Sequence, residues 1–131
     1  KDIMDYTILM AVAKENLFGL ATLLIDKGAD VNGKDLNGNT ALTEAAFANS
    51  LDVAKLLIKE GADVNCKNEE KWTLLMSAAK YNFLGIAKLL IEAGADVNAK
   101  DGCGETALMV AEENGWSEMV TLFKKYEHLI S

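Results

Sequence analysis

Apolar and polar positions along the chain predict short helices separated by turns. Between residues 51 and 58 the apolar side chains fall at helical spacing, and Gly61 then marks the helix end, because glycine readily adopts the left-handed conformation. Upstream, Thr40 is a natural N-cap for a shorter helix over residues 41–48, which Asn49 ends. A turn-rich segment over 63–68 leads to the next threonine. The pattern therefore predicts a unit of helix, turn, helix and loop.

This unit recurs with a period of 33 residues. The string Gly-Ala-Asp-Val-Asn starts at Gly28, Gly61 and Gly94. The threonines that precede the first helices share the same step and are Thr7, Thr40, Thr73 and Thr106. Helices this short are not stable alone, so neighbouring units must pack on one another. We therefore expect a single domain over 1–131 built from repeats of about 2–34, 35–67, 68–100 and 101–131.

The two ends of this array differ in polarity. One column of the repeat contains Ala13, Ala46 and Ala79 and then Glu112, and a carboxylate is tolerable there only where no further repeat covers it. We therefore expect residues 116–129 to form a C-terminal capping helix region. Residues 8–12 are as apolar as an internal repeat. Either a preceding cap is missing from the sequence, which we favour, or this face is partly exposed.

The motif over 40–46, Thr-Ala-Leu-Thr-Glu-Ala-Ala, the Gly-Ala-Asp-Val-Asn string and the 33-residue period resemble the ankyrin repeat family along the whole chain. The resemblance implies an all-α solenoid of helix-turn-helix-loop units, an α–α superhelix. The family's Pro and His positions are changed here, and Thr43 stands at one of the His positions. Asp5 and Lys71 stand where Gly38 and Gly104 keep the glycine of the turn.

The resemblance also implies a non-catalytic module that binds a protein partner through a concave groove of turn tips and first helices. Positions that vary between the repeats of this chain fall in those segments. The predicted partner-binding residues are Tyr6, Asn39, Phe47, Trp72, Lys80, Tyr81, Glu105 and Asn114. Trp72 and Tyr81 are the predicted anchors, because rigid aromatic side chains dominate interface hot spots. We expect Trp72→Ala to weaken binding with the fold nearly intact, and Phe83 and Trp116, which share a column, to stack on each other.

Charge narrows the class of partner. With 20 acidic and 13 basic residues the net charge is −7, which argues against binding to nucleic acid or to anionic membranes. The uncharged stretches are too short to span a bilayer. Two cysteines cannot build a disulfide framework, so we expect an intracellular, cytoplasmic protein. We expect it to be a monomer.

Candidate chemistry is sparse. The lone His128 has no predicted nucleophile beside it, and Cys66 and Cys103 lack the spacing of a zinc site. We therefore expect no catalytic residues, no metal and no cofactor. Two alternatives to a module for a separate partner remain open. One is an intramolecular scaffold or regulatory segment of a longer protein, and the other is an engineered repeat binder, against which the irregular framework positions argue.

Overall fold

The computed structural model describes residues 3–127, and the side chains of residues 7–126. Eight α-helices lie in this part of the chain: α1 (Ile3–Lys14), α2 (Phe18–Asp26), α3 (Ala41–Phe47), α4 (Leu51–Lys59), α5 (Leu74–Tyr81), α6 (Leu84–Glu92), α7 (Ala107–Asn114) and α8 (Ser117–Glu127). Turns, loops and one isolated bridge, Lys67 to Thr73, make up the rest of the described residues. The predicted all-α fold is confirmed. None of the described helices is long and apolar enough to cross a membrane.

The chain forms two compact units, Lys1–Val64 and Asn65–Ser131. In the first unit α1 packs on α2 and α3, and α4 packs on α2 and α3. In the second unit α5 packs on α6 and α7, and α8 packs on α6 and α7. Each unit therefore contains two helix pairs. The first helix of one pair packs on the first helix of the other, and the second helix packs on the second. The predicted capping region corresponds to α8, with residues 128 and 129 outside the described part.

Small and branched apolar side chains fill the space between the helices. Leu42 and Leu75, one repeat apart, are 0% and 1% exposed. Ala46 and Ala79 are fully buried. Because alanine has no side chain beyond Cβ, it lets neighbouring helices approach closely, and any larger group at these positions would overpack the core. The positions that are constant between repeats are therefore the framework of the fold.

Threonine side chains begin the first helices as predicted. The Thr40 hydroxyl accepts the N–H of Thr43 at 3.3 Å, and the Thr43 hydroxyl accepts the N–H of Thr40 at 3.1 Å. Thr73 and Thr106 accept the N–H groups three residues on, also at 3.3 Å. Each cap satisfies a backbone donor that the helix leaves free. Thr43, at a family His position, thus supplies a hydrogen bond of its own to the helix start.

Left-handed residues end the helices. Gly61 follows α4 with a φ of 96°, as predicted. Asn49 follows α3 with a φ of 56°, so that α3 ends at Phe47, one residue before the predicted end. The same column continues with Asn16, Asn82 and Gly115, at 56°, 58° and 73°. Asparagine tolerates this region better than other non-glycine residues, which explains its recurrence there.

Asparagine side chains also connect successive loops within each unit. Asn32 accepts the N–H of Asp63 at 2.8 Å and donates to the carbonyl of Gly61 at 3.1 Å. In the second unit Asn65 makes the same two bonds with residues 96 and 94, at 2.8 and 3.4 Å. The Asp-Val-Asn part of the repeated string therefore fixes one loop to the next.

Lys71 replaces glycine in a turn without changing its conformation. Its φ is 64°, against 84° for Gly38 and 83° for Gly104. Its N–H donates to the carbonyl of Asn68 at 3.0 Å, as the glycine N–H groups donate at 3.1 Å in the other two turns. The third loop therefore has the turn of its neighbours, with a lysine in a region that disfavours a Cβ.

We expect Lys71→Gly to stabilise the protein by about 0.5 kcal/mol, because the cost of a left-handed Cβ exceeds the extra entropy of unfolded glycine. Urea unfolding measures this change. Lys55→Gly, at an exposed position inside α4, is the control and should lose about 1 kcal/mol. A loss of stability in Lys71→Gly would contradict the assignment of strain to this residue.

Candidate functional site

A side-chain oxygen at the start of each loop tip fixes the backbone that presents the variable positions. Asp35 Oδ1 accepts the N–H groups of Asn37 and Asn39, both at 2.9 Å. Asn68 and Asp101 accept the N–H groups two and four residues on at the same distance. Sequence analysis missed this role of the side-chain oxygen, although Asp or Asn recurs at this position with the 33-residue period. The three described loop tips therefore share the same pair of stabilising hydrogen bonds.

In the first unit two described candidates lie in these segments. Asn39 is half-buried at the end of its loop, and its carbonyl accepts the N–H of Asp35 at 3.0 Å. Phe47 is the last residue of α3 and remains 42% exposed. Tyr6 belongs to α1, but its side chain lies outside the described part. The accessible aromatic candidate of this unit is thus Phe47.

Trp72, in the second unit, has a role in the fold. The residue is half-buried, and its indole N–H donates to the hydroxyl of Ser77 at 2.8 Å. Ser77 lies in α5 and is 1% exposed. The expectation that the fold stays nearly intact without Trp72 does not agree with this bond, because the ring ties its loop to a buried hydroxyl. Trp72 as a binding anchor stays a prediction.

Tyr81 presents half of its surface to solvent at the end of α5. Its ring stacks on that of Phe83, with centroids 5.7 Å apart and planes at 30°. Lys80 Nζ lies 5.5 Å from the same ring centroid. The expected stacking of Phe83 on Trp116 is thus replaced by stacking on Tyr81, while the Trp116 indole donates to the carbonyl of Lys80 at 3.5 Å. These contacts hold Tyr81 in place and leave it accessible.

Two carboxyl groups meet where the last loop enters α7. Glu105 is half-buried and Glu113 is exposed. Hydrogen bonding to the Glu113 side chain and the negative charge of Glu113 raise the pKa of Glu105, and the charge of Asp101 adds to the effect. Asn114, also exposed, donates to the carbonyl of Val110 at 2.8 Å. This part of the surface is therefore acidic and able to accept a cation.

The described residues contain no group of three or more His, Cys, Asp or Glu side chains that could hold a metal ion. Cys66 is buried and Cys103 is exposed, both as free thiols. His128 lies outside the described residues. A cavity of about 360 Å³ between α6 and α8, lined among others by Leu84 and Lys88, contains none of the predicted binding residues.

Comparison with known proteins agrees with this geometry. A family model described as ankyrin repeats (3 copies) matches residues 1–68, and one described as ankyrin repeats (many copies) matches residues 57–111. No curated protein matches the chain. Ankyrin repeats are in general protein–protein interaction modules and are typically non-catalytic. With the helix pairs, the threonine caps and a family match that covers more than half of its residues, the chain belongs to the ankyrin repeat family.

Proposed function

We propose that this chain is a non-catalytic module that binds a protein partner through the loop tips and first-helix ends of its repeats. The observation that carries the proposal is the exposure of aromatic side chains where the repeat varies. Phe47 is 42% and Tyr81 50% exposed, while the framework residues Ala45 and Ala78 within the same helices are fully buried. Exposed aromatics on a rigid framework are the usual anchors of protein interfaces.

The fixed loop tips support the proposal on energetic grounds. In each of the three described tips one side-chain oxygen accepts two backbone N–H groups, and Tyr81 is held by Phe83 and Lys80. Ordering a mobile loop or side chain on binding would cost free energy. A surface that is already ordered avoids much of this cost.

The acidic side chains of the second unit indicate which charge a partner would carry there. The charges of Glu113 and Asp101 raise the pKa of Glu105, so a further negative group there would be repelled. A lysine or arginine of the partner would instead pair with these carboxylates. With a net charge of −7 the chain favours a protein partner with basic groups over a nucleic acid.

A second candidate function is that of an intramolecular scaffold or regulatory segment in a longer polypeptide. It is favoured by the exposed apolar side chains of the first helix pair, among them Leu17 at 48% and Phe18 at 51%. Such a surface would pack against another part of the same polypeptide.

The test of the proposed function uses two tyrosines in similar local settings. The partner is first captured with the wild-type chain and identified, and its affinity is then measured with purified proteins by calorimetry. We expect Tyr81→Ala to weaken binding roughly tenfold or more, because an exposed aromatic anchor is lost. Tyr126→Ala is the control. Lys125 Nζ lies 5.5 Å from the ring centroid of Tyr126, which resembles the setting of Tyr81, but Tyr126 belongs to the second helix of its pair.

Binding that survives Tyr81→Ala, or that is weakened equally by both substitutions, would contradict the proposed surface. Phe47→Ala extends the test to the first unit, with circular dichroism as the check of folding for each variant. If the wild-type chain captures no partner at all, the intramolecular candidate is favoured.

A further inference from the structure

A groove lies between the second helices of the second unit, apart from the predicted binding residues. Its main cavity, of about 360 Å³, is lined among others by Leu84 and Lys88 of α6 and by Ser117, Glu118, Leu122 and Lys125 of α8. A second cavity of about 260 Å³ adjoins it and shares Leu84, Ser117 and Glu118 with it. From residue 117 to residue 125 the groove follows α8 for about 12 Å. About four residues of extended chain would cover this length.

Small side chains on α8 leave the groove open. Ser117 stands at a repeat position where the other second helices have large apolar side chains, namely Phe18, Leu51 and Leu84. Thr121, one turn after Ser117, donates its hydroxyl to the Ser117 carbonyl at 3.0 Å, so its side chain lies along its own helix. Because serine lacks the large apolar group of its counterparts, space remains between α6 and α8.

The lining of the groove combines apolar and cationic side chains. Leu84 and Leu122 are half-buried, so each exposes part of an apolar side chain. Lys88 and Lys125 come later in the same two helices, are exposed, and line the main cavity but not the second one. Glu118, near the start of α8, is shared by both cavities. The main cavity therefore has two positive charges against one negative, in a chain whose net charge is −7.

We propose that this groove, defined by Leu84, Lys88, Leu122 and Lys125, is a docking site for an acidic peptide segment of a protein partner. A large apolar side chain of the segment packs between the two leucines, and a neighbouring aspartate or glutamate pairs with the two lysines. A small-molecule pocket buries most of its ligand, whereas this groove is open along its exposed lysines and suits an extended chain. The segment is opposite in charge to the one that the surface around Glu105 favours, so the two sites take different segments.

The net charge of −7 does not prevent an acidic segment from binding here. At physiological ionic strength, charges more than about 8 Å away are largely screened. The lysines that line the groove therefore contribute more to the attraction than distant acidic residues do. We expect the affinity to fall as salt is raised further, because the pairs between these lysines and the segment remain accessible to solvent.

Peptides selected on the full chain test the proposal. Random peptides of about eight residues, twice the length that the groove covers, are displayed on phage and selected on the purified chain. Their affinities are then measured by fluorescence anisotropy. We expect the selected peptides to combine aspartate or glutamate with a large apolar residue. Replacing both lysines, Lys88→Gln with Lys125→Gln, should weaken their binding roughly tenfold.

Lysines of the first unit provide the matched control for charge. Lys55 and Lys59 are exposed on α4 and stand at the repeat positions of Lys88 and Lys125. Lys55→Gln with Lys59→Gln removes the same charge and should weaken binding by less than about twofold. Equal losses from the two lysine pairs would overturn the proposal, because they would show attraction by overall charge alone.

A second variant tests the space between the helices. Ser117→Leu introduces the residue that α4 and α6 have at this repeat position, so the helix tolerates it while the groove is filled. We expect roughly tenfold weaker binding, with circular dichroism as the check of folding. Unchanged affinity of this variant, a selection that yields no acidic peptides, or peptides that depend on Tyr81 instead would overturn the proposal. So would a dimer of the chain that Lys88→Gln with Lys125→Gln dissociates, because a second copy would then occupy the groove.

Discussion

Ala46→Glu is expected to destabilise the protein by about 4 kcal/mol or more at neutral pH, a large fraction of its total stability. Ala46 lies in α3 and is completely buried, so the substitution introduces both extra volume and a charge without a partner. Overpacking costs about 1–3 kcal/mol and an uncompensated buried charge about 3–5 kcal/mol. A domain of this size has a total stability of roughly 5–15 kcal/mol. Far-UV circular dichroism with urea titration at pH 7 measures the loss.

The same column supplies the control. Glu112 occupies the equivalent position in α7 and is exposed, so Glu112→Ala should change stability by no more than about 0.5 kcal/mol. A mild effect of Ala46→Glu, or a large one of Glu112→Ala, would contradict the view that one repeat position changes from core to surface along the chain. The pair of substitutions therefore tests the column itself rather than the fold in general.

The elements of the fold could be predicted because the forces that define them are local. Thr40 caps α3 and Gly61 ends α4 through bonds and backbone angles within a few residues, which a sequence displays directly. The end of α3 was misplaced by one residue because Ala48 is a good helix former. Asn49, in the left-handed region, determines where the chain actually turns.

The candidate site was less predictable because it depends on where side chains point. Variation between repeats indicates which positions are exposed, and the side chains of Phe47 and Tyr81 are exposed. It does not show that Glu113, eight positions after Glu105, is close enough to raise the pKa of Glu105. Nor does it show that Phe83 stacks on Tyr81 rather than on Trp116. These contacts depend on side-chain positions in the folded chain, which variation between repeats does not encode.

Trp72 is the clearest case, and we expect Trp72→Ala to cost about 2–3 kcal/mol of stability. The substitution removes a half-buried indole and leaves the hydroxyl of Ser77, which is 1% exposed, without the 2.8 Å bond from Trp72. A lost aromatic side chain at a partly buried site and an unsatisfied buried hydroxyl add to about this amount. Urea unfolding of the purified chain measures it, with Tyr81→Ala as an exposed aromatic for comparison.

Trp72→Phe separates the two contributions, because it keeps a ring and removes only the N–H donor. We expect a loss of about 1 kcal/mol, the usual net worth of a hydrogen bond to a buried neutral group. Ser77→Ala in the Trp72→Phe background should then cost little more, since neither partner of the bond remains. If Trp72→Ala leaves the urea midpoint unchanged and weakens partner binding alone, the indole acts as an interface anchor and its bond to Ser77 contributes nothing to the fold. If stability falls as expected, weaker binding by this variant has to be measured at temperatures where it is fully folded before it counts as evidence for contact with the partner.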